Sequence, residues 1–507
     1  MRISGLWLPA LLAAGAVRAA EPALAAGSFD SPPQLFAQVC TLAAERAGQP
    51  FSDPPLQLPA NLTELGYDEL RCIEFKRDQT VWRSVSESFR LMMYHLGGPH
   101  LPKGVTLAEV VGDEVRPIPF QPSCFLYHEI AAKLTPADLT NVTQFAGIRA
   151  LCRLNASNRF DEVISFLGVS YFRALGRDLV YGASARGIYI DRNGAEPEEF
   201  PRFVSFWAVR PALRARHLEV LALLDGPSIC GAYAFRVTPG EDTTVAVRAR
   251  LFARRPLSRF GLGTLTSMYW HGQTSTNRFG DFRPQVHDSD GLLIADGGGA
   301  WTWRPLRNDL CLRVAEYPVA SLRGFGLLQR DRRFTSYEDI EARYHRRPSV
   351  WVEPGPGWGP GRVRLLEWPT HTEYADNIVA CWQPDRPLVP GEPQEVAWTL
   401  HWYTDTPAWP PLARCVNSFI TGRRVRLDFS GPGLPLDDRT PAPAADVATD
   451  NGKISGLHVT RGVDTGWWRV GFDVVPAEPW RANEVQMVLR DAGGRALSET
   501  WTYQLTP

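Results

Sequence analysis

The sequence predicts a mainly β protein built as a large β-sandwich module followed by a smaller, immunoglobulin-like β-sandwich. Three observations carry this expectation. Apolar runs of strand length recur along the chain, with turn signals between them at intervals of about 8–12 residues. The 43 glycines and 42 prolines among 507 residues are spread out rather than clustered, which suits many tight turns better than disorder. Helical periodicity is confined to two short stretches.

Taken in order, residues 1–26 read as a secretory signal peptide. Arg2 precedes an apolar run over 6–17, and both Val17-Arg18-Ala19 and Ala23-Leu24-Ala25 offer small-residue cleavage sites. There is no twin arginine, so export before folding is expected, to the periplasm of a Gram-negative cell. No later run reaches the roughly 20 apolar residues of a membrane-spanning helix. A helix is expected over 33–48, where Leu35, Phe36, Val39, Leu42 and Ala43 form one stripe. Strands are expected over 217–224, 229–237 and 243–254, separated by Asp225-Gly226-Pro227 and Pro239-Gly240. The third alternates, with Val245, Val247, Ala249 and Leu251 on one face, as in a half-buried antiparallel strand. A short helix is expected over 337–345.

The large module is expected to span 27–403, with a Pro-rich linker over 404–411 and the second module over 412–507. In the second module Val425, Leu427 and Phe429 alternate, as do Trp468, Val470, Phe472 and Val474. Residues 485–490 and 496–505 flank Asp491-Ala492-Gly493-Gly494 like a hairpin. The stretch over 431–450 reads as an exposed loop.

Bulk composition excludes several functions. Basic and acidic residues are balanced, 54 against 55, and no basic tract recommends nucleic acid as a partner. The eight cysteines are irregularly spaced with no Cys-x-x-Cys, so neither zinc nor thiol exchange is indicated. Several lie in apolar runs and are expected as buried small hydrophobes, with at most one or two disulfides. His128-Glu129 lacks the second histidine of a metalloprotease helix, and Gly182-Ala183-Ser184-Ala185-Arg186 lacks the second glycine of a nucleophile elbow. Gly261-Leu262-Gly263 is followed by Thr266 where a dinucleotide fold needs glycine, and the glycine-rich 355–362 lacks the Gly-Lys-Ser/Thr of a phosphate loop.

What remains is acidic and aromatic. Asp288 and Asp290 stand in His287-Asp288-Ser289-Asp290-Gly291, close before Trp301-Thr302-Trp303-Arg304-Pro305, and Asp376 stands in Glu373-Tyr374-Ala375-Asp376-Asn377. Carboxylates supply the acid and base of glycosidic chemistry, and large aromatics offer flat apolar faces to a pyranose. The plainer reading has Asp288 and Ser289 capping a turn and Asp376 starting a strand. Arg304, Arg330 and Arg347 read as buried ion-pair partners. Trp301, Trp303, Trp351 and Trp358 suit either core or groove wall, with neighbouring Gly and Pro suggesting loops.

Further motifs carry a resemblance. They include Phe166-Leu167-Gly168-Val169-Ser170-Tyr171-Phe172-Arg173, Tyr181-Gly182-Ala183-Ser184-Ala185-Arg186-Gly187, Glu198-Glu199-Phe200-Pro201 and Leu265-Thr266-Ser267-Met268. With them stand His287-Asp288-Ser289-Asp290-Gly291, Trp303-Arg304-Pro305-Leu306 and Gly324-Phe325-Gly326-Leu327-Leu328-Gln329-Arg330. Arg347-Pro348-Ser349-Val350-Trp351-Val352 and Asp376-Asn377-Ile378-Val379-Ala380 complete the set. In these the chain resembles the periplasmic glucan biosynthesis protein G/D family, the G type more than the D type.

The resemblance implies a galactose-mutarotase-like supersandwich with a long groove, plus an immunoglobulin-like C-terminal module. It implies a role in the synthesis of osmoregulated periplasmic glucans, through inverting hydrolysis of β-1,2-glucan without metal or cofactor. On the family pattern Asp376 is the general acid, Asp288 the general base and Tyr344 a proton relay. Glu373 then positions substrate, and Trp301, Trp303, Arg304, Arg347 and Trp351 are expected to contact it. The alternative is a non-catalytic glucan-binding scaffold assisting branching or release by the inner-membrane glucan synthase; a sugar epimerase is a third reading. The sequence departs from the pattern at Ala300, where family members commonly carry Glu, and at Tyr374-Ala375, which replaces the more usual small polar pair.

Overall fold

The computed structural model describes residue 29 and residues 33–506, except 54–55, 57, 100, 102, 130–133, 135, 141, 193–196, 276–278, 406–408 and 437–439. The expected signal peptide lies outside the described residues. Among the described residues no helix is long and apolar enough to cross a membrane.

Strand Thr243–Ala253 shows how the sandwich forms. Val245, Val247, Ala249 and Leu251 are buried in alternation, while Ala246, Arg248 and Arg250 remain half-covered on the other face. The period of two thus assigns one face to the core. Its neighbours Leu218–Asp225 and Ile229–Thr238 are buried on both faces and read as near-continuous apolar runs for that reason. The outer cover is the helix Pro33–Ala47, whose Leu35, Phe36, Val39 and Ala43 pack on Trp207, Leu221 and Ala234.

These strands belong to a fourteen-stranded sheet, which faces a ten-stranded one. Rings interdigitate between them: Phe166 of the ten-stranded sheet meets Phe235 of the other at 5.0 Å, edge to face. The expected β-sandwich is therefore present, and the three strands and the N-terminal helix lie where the sequence puts them, within one or two residues. All eight cysteines are free thiols, five of them buried.

The C-terminal strands share this framework. Thr500–Leu505 pairs in parallel with Trp301–Pro305, aligning Thr500 with Thr302 and Trp501 with Trp303, so the large sheet continues into the second module. The expected hairpin forms, Asn483–Arg490 against Thr500–Leu505. A four-stranded sheet covers it from the other side. Between lies a second core of Val425, Leu427, Phe429, Trp468, Val470 and Phe472, and this core also takes in Trp301, Trp303 and Trp351. Part of the expected linker lies outside the described residues, but Trp409 is packed against Trp351 at 4.9 Å and Tyr403 at 5.5 Å.

The helix expected over 337–345 does not form. Two single 3₁₀ turns stand near its ends, Phe334–Ser336 and Tyr344–Arg346, with Arg343 in the left-handed region at φ 50°. The physical reason is Asp339, whose Oδ1 accepts from the backbone N–H of Glu341 and Ala342 and closes a local turn in place of a helical ladder.

Candidate active site

Two consecutive residues bring the distant acids together. Strand Phe260–Ser267 of the ten-stranded sheet runs on into Met268 and Tyr269. The Met268 carbonyl accepts from the Asp288 amide at 2.8 Å. Tyr269 is bracketed by the buried Asn377 side chain, whose Oδ1 accepts from the Tyr269 N–H at 2.9 Å while Nδ2 donates to the Tyr269 carbonyl at 3.1 Å. The same amide donates to the Trp368 carbonyl at 2.9 Å. Asp288 and the neighbour of Asp376 thus hang from adjacent rungs. Asn377→Ala would strand these buried backbone groups, and a loss of about 2–4 kcal/mol in denaturant unfolding is expected.

The two carboxylates sit in opposite environments. Asp376 is exposed and lines an open groove of about 2180 Å³. The groove lies on the outer face of the ten-stranded sheet, where Arg149, Glu162, Tyr171 and Arg173 point outward, and Tyr67 and Phe75 stand on its N-terminal wall. Asp288 is only 6% exposed. Arg347 Nη1 stands 3.2 Å from Asp288 Oδ1, yet that oxygen accepts no hydrogen bond from the described residues. Burial therefore wins over the opposing charge of Arg347 and pushes the Asp288 carboxyl up to about 6, with the negative charge of Asp376 adding to the push.

Tyr344 connects this pair to Glu373. Its hydroxyl donates to Glu373 Oε2 at 2.5 Å, and the Arg347 guanidinium lies over its ring, 4.9 Å from the centroid. Burial and the bond to Glu373 hold the phenol above its ordinary range, so Tyr344 is a neutral hydrogen-bonding group at any working pH. Arg347 is itself fixed, donating to the Tyr181 and Ala342 carbonyls.

Of the residues singled out from the sequence, Asp288, Tyr344, Arg347, Glu373 and Asp376 therefore share one neighbourhood. Trp301, Trp303, Arg304 and Trp351, which were expected to contact substrate, are buried outside it. The pleat sends Trp301 and Trp303 to one face of their strand, toward the second module, where Trp301 stacks on Trp351 at 5.8 Å. Arg304 turns to the other side and pairs with the buried Glu367 at 3.1 Å. Trp358 is a core residue whose indole donates to the Ala397 carbonyl. Asp290 serves the backbone, accepting from the Arg330 and Asp331 amides.

The groove wall includes Tyr94, Arg149 and Glu162, which no motif marks, and Tyr171 from one of the motifs that carry the resemblance; all sit far from the acids along the chain. Tyr374, next but one to Asp376, is 89% exposed in the same groove and offers a free aromatic face there. Arg283, five residues before Asp288, also reaches this neighbourhood by donating to Glu373. Among the described residues no group of three or more His, Cys, Asp or Glu is placed to hold a metal ion.

Residues 35–505 match the family described as periplasmic glucan biosynthesis protein, MdoG. A glucans biosynthesis protein G of Ralstonia nicotianae is 40% identical, over 97% of this chain and 98% of its own. One from Rhodopseudomonas palustris is 38% identical, over 98% and 97%, and one from Pseudomonas aeruginosa 37%, over 92% of each. With the match spanning nearly the whole chain, the chain belongs to the periplasmic glucan biosynthesis protein MdoG family.

Proposed function

We propose that this protein acts in the biosynthesis of osmoregulated periplasmic glucans, by trimming β-1,2-glucan through inverting hydrolysis. The observation that carries the reading is the pairing of an exposed groove acid with a buried one, close enough that the charge of Asp376 raises the Asp288 carboxyl. Such a split in environment separates two roles in glycosidic catalysis; burial alone would make Asp288 the acid, and the assignment of Asp376 as acid and Asp288 as base follows the family pattern instead.

In this reading the glucan lies along the groove and Asp376 gives its proton to the leaving glycosidic oxygen. A water attacks the anomeric carbon from the opposite face, the bond to the leaving sugar breaks, and the water's proton passes to Asp288. Because Asp288 is buried, the transfer needs an intermediary, and Tyr344 beside Arg347 is the adjacent hydroxyl. Glu373 and the exposed Tyr374 then contribute to holding the sugar, the latter by its flat face. Names of the relatives support the pathway, and the sequence reading supports export to the periplasm, where the inner-membrane glucan synthase would be the neighbouring partner.

Incubation of the purified protein with linear β-1,2-glucan should yield shorter chains of inverted anomeric configuration, and Asp376→Asn should yield none. Saturable glucan binding with no shortening by either protein would instead support a scaffold that guides branching or release.

A further inference from the structure

We propose that Arg83, Arg90 and Arg153, gathered around Phe160 at one end of the groove, form a subsite for a phosphate-class anion. The inference rests on the reading above in taking the groove as the bed of a glucan chain, along which such a group would be presented.

The pleat puts this cluster on the groove face. Strand Phe89–Tyr94 pairs with Gly147–Cys152 so that Arg90 stands opposite Leu151 and Met92 opposite Arg149. Met92, Tyr94, Arg149 and Leu151 all line the groove, and Arg90 shares their face of the sheet. Phe160, just before the next strand Asp161–Leu167, lines it as well. Two guanidinium groups lie over its ring, Arg90 at 4.3 Å and Arg153 at 5.2 Å from the centroid. Arg90 is half-buried and fixed in orientation, because its Nη1 donates to the carbonyls of Trp82, Ser86 and Phe89. Among the described residues nothing accepts from its Nε or Nη2, which form one edge of the planar fork.

What sets the cluster apart is the lack of a counter-charge. Among the described residues no carboxylate pairs with any of the three arginines. The acids on this side are engaged elsewhere. Asp161 receives Arg159 at 2.6 Å and the Asn155 amide at 3.0 Å, Glu162 receives Arg149 at 3.2 Å, and Glu87 receives Arg214 at 3.1 Å. Arg90 instead feels burial first, then the like charges of Arg153 and Arg83, and all three lower its pKa. Like charges held together raise the energy of the unliganded protein, and an anion among them relieves it. A guanidinium edge with two parallel N–H donors matches two oxygens of a phosphate, and Arg90 leaves that edge open. A neutral sugar needs no such excess of charge.

The test is titration calorimetry on protein carrying Asp376→Asn, so that no chain is shortened. The probes are linear β-1,2-glucan, the same glucan phosphorylated on its primary hydroxyls, and inorganic phosphate. The phosphorylated chain should bind about 10-fold more tightly than the neutral one at low ionic strength, an effect of the size of one charge-assisted hydrogen bond, and salt should shrink the advantage. Adding Arg83→Gln with Arg153→Gln should bring the two chains within about twofold of each other and leave the affinity for neutral glucan unchanged. Both side chains are exposed, so the fold is spared, and Arg90 is kept because it also fixes its turn. Arg386→Gln with Arg495→Gln removes the same charge from exposed sites elsewhere and should alter neither affinity. Inorganic phosphate that erases the preference supports a phosphate carried on the chain. Phosphate bound without any preference between chains, and lost with Arg83 and Arg153, assigns the site to free phosphate. A preference kept without those two arginines, or neither preference nor phosphate binding, overturns the subsite. If neither chain binds, the glucan reading fails, and phosphate binding alone decides the anion site.

Discussion

Asp288→Asn is expected to remove hydrolysis and, at pH 8, to make the protein more stable than wild type. The two effects share one cause. The native fold holds this carboxyl at about 6, against 3.8 for an unperturbed aspartate, chiefly because it is buried. Below pH 3.8 both the folded and unfolded chains carry the proton and the site costs nothing by ionisation. Between 3.8 and about 6 the unfolded chain loses its proton first, so stability falls as pH rises, and above 6 the full cost is present. A shift of about two pH units corresponds to about 3 kcal/mol. Asparagine does not ionise and escapes this cost, so the variant should gain at pH 8 on the order of the same 3 kcal/mol, and gain nothing at pH 3.5. Melting temperatures at the two pH values measure the difference. Hydrolysis should meanwhile fall about 10²–10⁴-fold, the range a positioned base contributes, and the wild-type rate should rise with pH through about 6 as Asp288 loses its proton. A variant destabilised equally at both pH values would mean that the carboxyl is bound by hydrogen bonds after all, and is not a strained base.

That cost explains where the sequence was readable and where it was not. Local periodicity assigns Thr243–Ala253 and the helix Pro33–Ala47 because one face of each is set by the core alone. The same logic misleads at Trp301 and Trp303. They stand close to Asp288 along the chain, yet the pleat directs them to a core that exists only once the second module has docked. The stretch around Tyr344 misleads in the opposite way. Its helical pattern is overridden by Asp339, whose one oxygen closes a turn and whose other pairs with Arg283, 56 positions away. Resemblance to a family supplied Asp288, Tyr344 and Asp376, but no spacing in the sequence announces that Met268 and Tyr269 bring them together. Nor does any motif mark Arg283, since its partners are three acids on three separate segments.

Glu499→Ala is the other large effect expected, about 3–5 kcal/mol of lost stability, because it leaves a buried arginine without its partner. Glu499 is fully buried just before Thr500–Leu505, and both its oxygens receive Arg330, at 2.6 and 2.8 Å. Its Oε1 also accepts from the Cys415 amide, and the Arg330 guanidinium lies 3.5 Å from the centre of the Trp303 ring. Strand, cation and indole thus lock the second module onto the first, where the large sheet crosses between them. If the cost is that of an orphaned charge, Arg330→Met combined with Glu499→Leu should be less destabilised than either single change, which denaturant titration of the four proteins would measure. The effect should also reach the site. The Arg330 and Asp331 amides are held by Asp290, two residues from Asp288, so loosening Arg330 frees the turn that carries the proposed base. Glu499→Ala should accordingly lower glucan hydrolysis at temperatures well below its melting point. An unchanged rate there would mean that the second module steadies the fold without steadying the chemistry.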